Sequence, residues 1–441
     1  QADGSGGAAS NYTLTGGTHN FTVNRRPLNA TLARQYDGTT AAAGSTLSAF
    51  DALQGGETLT LSGSGTAAND NVANGISVSS LGTLALVNGT GAASNYSLNS
   101  AVINITKRVL NSSGSKTYDA NTNALAGAIT LSNLVSGEAL NHSGTATISS
   151  ANAGSYTISN LSGISIADGS GGAASNYTLT GGTHNFTVNR RPVGVSGTRL
   201  YDATTNAVAS DLSTHANLVG SETLTLSGTG TIASKDVGSN KTVSVGTLAL
   251  GNGSNGGLAG NYTLSGGTHQ LTVNQRPLNA TLARQYDGTT ASAGSTLSSF
   301  DALQGGETLT MTGSGTAASA NVANGIAMSS NGNLALADGT GAASNYSLNS
   351  TVINIAKRVL TSSGSKTYDA NTNALAADIT LGNLVSGEAL NHSGTATISS
   401  ANAGSYTISN LTGITIADGS GGAASNYTLT GGTHNLSLIH I

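Results

Sequence analysis

A Tyr-Asp pair recurs five times in this chain, at Tyr36-Asp37, Tyr118-Asp119, Tyr201-Asp202, Tyr286-Asp287 and Tyr368-Asp369, in steps of 82, 83, 85 and 82 residues. An Asn-Tyr pair keeps step with it, at Asn11-Tyr12, Asn95-Tyr96, Asn176-Tyr177, Asn261-Tyr262, Asn345-Tyr346 and Asn426-Tyr427. One Glu follows each Tyr-Asp by 19 or 20 residues, and Glu57, Glu138, Glu222, Glu307 and Glu388 are the only glutamates present. A fixed period of this length means that each repeat is one structural unit and the chain is an array of them.

A second period is nested over the first. Residues 27–41, PLNATLARQYDGTTA, return unchanged at 277–291, a shift of 250 residues. Three unit types therefore alternate. The expected division is 1–26 as the closing part of a truncated repeat, 27–107 type A, 108–191 type B, 192–276 type C, 277–357 type A and 358–435 a truncated type B. Residues 2–26 repeat 167–191 letter for letter, so the chain opens inside a unit. At 436–441 the expected FTVNRR is replaced by LSLIHI, which reads like a translated library-adapter sequence, although LSL still alternates as a strand does.

Composition points to β structure. Only 8% of residues are charged, against the usual quarter or so. Glu, Lys, Gln and Arg, which build helix surfaces, are scarce, whereas Gly (61 residues), Thr, Ser and Asn abound. Disorder is excluded for most of the chain by regular Val, Ile, Leu and Tyr at alternating positions. The net charge of −4 and the lack of a basic patch argue against nucleic acid. With no Cys, neither a disulfide framework nor a Cys-based metal site is available. No apolar run approaches the roughly 20 residues of a membrane helix, so no membrane insertion is expected.

Within a unit, period-two alternation marks strands at Thr58–Leu61, Thr83–Leu86, Ile164–Ile166, Thr223–Leu226 and Thr247–Leu250. Six to eight short strands per unit are expected. Gly16-Gly17 between Tyr12–Thr15 and Thr18–Val23 reads as a two-residue hairpin turn, which would set Tyr12 opposite Phe21 and Leu14 opposite His19. Tyr36-Asp37-Gly38 reads as a strand end entering a turn, with Asp bonded to its own backbone, Gly at positive φ and Tyr plugging the end of a thin core. Basic doublets at Arg25-Arg26, Lys107-Arg108, Arg190-Arg191 and Lys357-Arg358, with Gln275-Arg276 at the fifth, run straight into the next unit. Pro27, Pro192 and Pro277 stiffen that step, so no flexible linker is expected. The array should be all-β, made of small sandwich-like modules or of a β-grasp-like arrangement with a short helix, in file as an elongated rod of about 150 Å. A parallel β-helix is the competing architecture.

Catalysis finds no foothold. There is no GxSxG elbow and no HExxH pair. His19, His184, His269 and His434 share one position in the closing segment, where a partly buried, hydrogen-bonded structural role is expected. The recurrent Asp and Glu lack the Asp-rich loop that would collect the six to eight oxygens of a Ca²⁺ site. No catalytic residue, cofactor or metal ligand is assigned. The recurrent Tyr, Asp and Asn residues are taken as structural.

SKTYDANTNA (115–124), TRLYDATTNA (198–207) and RQYDGTTA (34–41), with the central GETLTLSG run at 56–63 and the closing Asn-Tyr…TVN segments, resemble the YDG-type repeats of bacterial adhesins. Such repeats occur in filamentous-haemagglutinin-like exported proteins of Gram-negative bacteria. The resemblance extends up to Asn435. It implies a secreted or surface-exposed stalk, an outer-membrane exporter as partner, and contact with a host surface through regions outside this chain. The repeats themselves binding a host glycan or protein is the alternative. The absence of Trp weighs against a sugar site.

Overall fold

The computed structural model describes residues 2–439. Among them there is no α-helix; strands are joined by turns and by three-residue 3₁₀ segments. Chain contacts divide the molecule into two compact units, residues 1–191 with 260–263, and residues 192–259 with 264–441.

The first type A module shows the plan. Its strands are β1 (Arg26–Gln35), β2 (Thr46–Phe50), β3 (Leu59–Ser62), β4 (Thr66–Ala67), β5 (Ala73–Ser80), β6 (Ala85–Asn88) and β7 (Tyr96–Thr106). The main sheet runs β2-β1-β7-β5-β4, and β3 pairs with β6 in a separate ribbon. The first and last strands lie side by side and parallel, with Leu32 opposite Ile103 and Ala30 opposite Ala101. The sheet thus sets one parallel pair among antiparallel ones, and the short helix of a β-grasp-like arrangement is not seen among the described residues, which hold only three-residue 3₁₀ segments.

The β4 edge is bonded in turn to residues 40–42, through Ala42 N–H to the Gly65 carbonyl and Ala67 N–H to the Thr40 carbonyl. Those residues lead within a few positions into β2 at the opposite edge, so the sheet curls toward a barrel. Alternation explains the interior. Leu28, Ala30 and Leu32 of β1 and Ala101, Ile103 and Ile105 of β7 are buried, and the alternating Asn29, Thr31, Val102 and Asn104 are less so. Each fully buried Leu or Ile contributes about 1.5–3 kcal/mol.

Type B repeats this plan. Residues 184–189 run parallel to 112–117, and 154–157 run antiparallel to 185–188. The main sheet of each module mixes both pairing senses, which is not the stacked-coil pattern of a β-helix.

The Gly-Gly segment corrects the hairpin expectation. In the complete copy, Tyr177-Thr178 pair in parallel with Arg108-Val109, and His184–Asn189 continue in the same direction beside the first strand. Gly181-Gly182 is thus a bulged loop within one strand, not a reversal. Type A reaches the same place with an uninterrupted β7 and no Gly-Gly. Gly181 does have positive φ (+86°), and a Cβ on Gly182 would overlap the Leu110 carbonyl. His184 closes the loop, with Nε2 donating to the Leu179 carbonyl at 2.7 Å and Nδ1 2.9 Å from Ser112 Oγ. At the first copy of this segment Tyr12 and Phe21 are exposed rather than paired. At the other end, Asn435–Ile439 form the closing strand, and its Leu436 and Leu438 are buried. His440 and Ile441 of the adapter-like hexapeptide lie outside the described residues.

Candidate functional site: the module joint

The recurrent residues meet where one module passes into the next. Tyr36 ends β1, and its main-chain N–H is held by the Thr106 carbonyl of its own module. Its ring reaches into the following type B module and packs edge-on against Tyr177, centroids 5.4 Å apart at 78°. Both hydroxyls donate to one carboxylate, Tyr36 to Glu138 Oε1 at 2.6 Å and Tyr177 to Oε2 at 2.7 Å. The Tyr177 hydroxyl also accepts the Val135 N–H at 3.0 Å, which fixes the loop that carries Glu138. Tyr36 and Glu138 are thus partners across 102 residues of chain. Aromatic pairs of this geometry add about 0.5–1.5 kcal/mol beyond their burial.

In four of the Asn-Tyr pairs, those of Asn176, Asn261, Asn345 and Asn426, the Asn faces the other way, back onto the preceding module. Asn176 is 1% exposed. Its Oδ1 accepts the Val72 N–H at 2.9 Å and its Nδ2 donates to Asn71 Oδ1 at 3.0 Å. The second residue of the basic doublet completes the joint. Arg108 donates through Nε to the Asn133 carbonyl at 2.6 Å and through a terminal nitrogen to the Tyr36 carbonyl at 3.4 Å. Under these polar groups the apolar interior is continuous: Leu32, Tyr36, Ile103 and Ile105 of one module share a cluster with Leu110 and Tyr177 of the next.

The same joint recurs. Tyr286, Glu388 and Tyr427 form it in the second A-to-B pair at 2.6 and 2.7 Å, with Asn426 held by Asn321 and Val322. Tyr201, Glu307 and Tyr346 form it between types C and A at 2.7 and 2.8 Å, with Asn345 held by Asp236 and Val237. Tyr118 packs on Tyr262 at 5.4 Å, and Asn261 is held by Asn152 and Ala153. At the first module Tyr96 donates to Glu57, while Asn95 is exposed. Tyr368 is 48% exposed, against 4% for Tyr36.

The Asp of each Tyr-Asp pair does not join this cluster. Asp37 caps its own turn, accepting the Thr39 N–H at 3.0 Å, and pairs with Arg34 at 3.0 Å. Asp119, Asp202, Asp287 and Asp369 pair likewise with Lys116, Arg199, Arg284 and Lys366. These half-exposed pairs are worth about 0–1 kcal/mol each. The turn carries Gly38 at φ +71° but Ala120 at +62° in the same place. The recurrent Asp and Glu therefore occupy separate sites with separate partners.

Electrostatics follow the geometry. Burial, reinforced by the bond to a carboxylate, raises the phenols of Tyr36, Tyr177 and Tyr201 above the ordinary range and those of Tyr286 and Tyr346 to about 12. Burial alone would raise Glu307, but bonds from Lys235, Tyr201 and Tyr346 outweigh it and leave that carboxyl below the usual range. Each phenol acts as a fixed donor and each carboxylate as a fixed acceptor. Among the described residues no group of His, Asp and Glu is placed to hold a metal ion. An open groove of about 510 Å³ in the last module, lined by Ile408, Leu411, Ile414, Leu429, Lys357 and His434, contains no carboxylate.

Sequence reasoning missed the loop that receives the Asn. Asn71, Asn152, Asp236 and Asn321 lie 34 or 35 residues after the Tyr of their own module, each followed by Val or Ala, and that spacing is the signal that marks them.

The fold and the joint define a class of protein, a tandem array of all-β modules locked to one another by their most regular residues. The chain belongs to the YDG domain family, whose model matches residues 24–103, 104–184, 187–271, 268–353 and 356–434. No curated protein matches it.

Proposed function

We propose that the array is the stalk of an exported bacterial adhesin of the filamentous-haemagglutinin-like kind, spacing a binding region away from the cell surface. The observation that carries this reading is where the recurrent side chains go. The Tyr, Glu and Asn that keep the period are consumed by joints between modules, and the Asp by turns. At the completed joints the Tyr, Glu and Asn are bonded to the neighbouring module, while the Asp stay half-exposed on their own turns. A covalent array whose joints are packed and hydrogen-bonded rather than linked by flexible Gly-Ser segments is suited to holding distance. The sequence resemblance supplies the setting: secretion or display at a Gram-negative outer membrane, an outer-membrane exporter, and host contact through parts of the protein beyond this chain.

The test compares the purified array with the whole protein in host-cell adhesion. The array is expected neither to bind cells nor to compete, and deleting three modules from the displayed protein is expected to shorten its reach while leaving tip affinity unchanged. Binding of the isolated array as strong as that of the whole protein would refute the stalk and favour modules that themselves take a host ligand.

A further inference from the structure

The joints share one design, and one position among those that vary carries a change of charge next to the shared carboxylate. The residue immediately before the Asx that clamps the next module's Asn is Asp70 in the first type A module, Ala151 in type B, Lys235 in type C and Ala320 in the second type A. In type C this residue reaches the carboxylate at the centre of the joint: Lys235 Nζ lies 2.6 Å from Glu307 Oε1, whose side chain is only 8% exposed, and 5.8 Å from the Tyr201 ring centre. The positional match rests on the clamp itself. Asp236 holds Asn345 as Asn71 holds Asn176 and Asn321 holds Asn426.

We infer that this single position tunes the strength of the joint, and that Lys235 of type C reinforces its hold on the carboxylate of the type A module that follows. A cation there pairs with the joint carboxylate, Ala is neutral, and Asp is repelled. Burial of Glu307 makes the charge count, because a carboxylate screened from water responds to a neighbouring ion more strongly than an exposed one. In this chain the ionically reinforced joint is the C-to-A one; at the first A-to-B step Asp70 stands at the equivalent position in the sequence, so the same rule predicts a repulsion toward Glu138 there. The inference rests on the joint geometry and is independent of the adhesin reading.

The experiment uses the full chain and hydrogen exchange read by mass spectrometry over the carboxylate loops, residues 133–140, 302–309 and 383–390. Lys235→Ala is expected to speed exchange at 302–309 by about fivefold and leave the other two loops unchanged. Asp70→Ala is expected to slow exchange at 133–140, and Asp70→Lys to slow it further. Ala320→Lys, which sets a cation opposite Glu388, is expected to protect 383–390 by a similar factor. Salt supplies a readout that packing alone does not move. Between low and high ionic strength, protection is expected to fall at 302–309 and to rise at 133–140, because screening weakens an attraction at one and a repulsion at the other. The same salt response at both loops would overturn the inference. So would Lys235→Ala acting equally on all three loops, or Ala320→Lys leaving 383–390 unprotected.

Discussion

Replacing Tyr36 by Phe removes one hydroxyl and nothing else. The ring keeps its edge-on contact with Tyr177, and the main-chain bond to Thr106 is untouched. What is lost is the 2.6 Å bond to Glu138 Oε1, leaving that carboxylate with Tyr177 on its other oxygen. Hydrogen bonds to charged groups contribute about 1.5–3 kcal/mol, which corresponds to roughly 10- to 150-fold in a local opening equilibrium. An array of several modules does not unfold in one step, so a single melting temperature would blur the effect. Hydrogen exchange of the full chain resolves it, with the loss expected at residues 133–140 and 36–42. The molecule carries two controls. Tyr286→Phe should give the same factor at 383–390, because its joint has the same partners at the same distances. Tyr368→Phe should change nothing, since that ring is 48% exposed. Equal effects from Tyr36→Phe and Tyr368→Phe, or a Tyr36→Phe effect spread evenly over all modules, would refute the shared-carboxylate joint.

Other expectations follow from the same geometry. Gly182→Ala forces a Cβ onto the Leu110 carbonyl and should cost about 1–3 kcal/mol, seen as early proteolysis of the type B closing strand, while Gly127→Ala, with open space around it, should be neutral or mildly stabilising. Ala120→Gly relieves a left-handed Ala where type A has Gly38, and should slow exchange in the 116–124 turn by an amount equivalent to about 1 kcal/mol. In acid the C-to-A joint should loosen. Glu307 is held below the ordinary carboxylate range, so its contribution is full above that range and is lost as pH falls through the lowered value, measurable as exchange at 302–309 that speeds up only in acid below the ordinary range. In alkali, Tyr286 and Tyr346 should ionise near 12 rather than near the ordinary ~10. Their contribution is complete below ~10 and disappears as pH rises through 12; a phenolate absorbance titration showing every tyrosine ionising together near 10 would contradict this.

The repeat period, the all-β class, the alternating strands such as Leu59–Ser62, Ile164–Asp168 and Leu224–Ser227, and the Tyr-Asp-Gly turn were legible in the sequence, because each depends on residues a few positions apart. The joint was not, because its partners are 102 residues apart and belong to successive repeats. Aligning repeats stacks Tyr36 over Tyr118 and Glu57 over Glu138, which suggests that the Tyr and Glu of one repeat act together, whereas Tyr36 meets Glu138. Gly181-Gly182 misled for a related reason. Positive φ is demanded both by a tight hairpin and by a bulged loop, and the local letters do not tell them apart. A comparison of types could have done so. Asn95 to Lys107 spans two residues fewer than Asn176 to Arg190, which marks Gly-Gly as an insertion in a strand that type A runs straight through.

The parallel pairing of β1 with β7 bears on how a module responds to tension. In a parallel pair the start of one strand lies beside the start of the other, so the chain enters at one end of the ladder and departs at the opposite end. Arg26–Gln35 and Tyr96–Thr106 are in register along their length, with one bulge. A pull on the two ends of the module therefore loads this ladder in shear. Its hydrogen bonds share the force and must fail together, instead of opening one at a time from an edge as a peeled hairpin does. The two strands that close the module are also the two that carry the load.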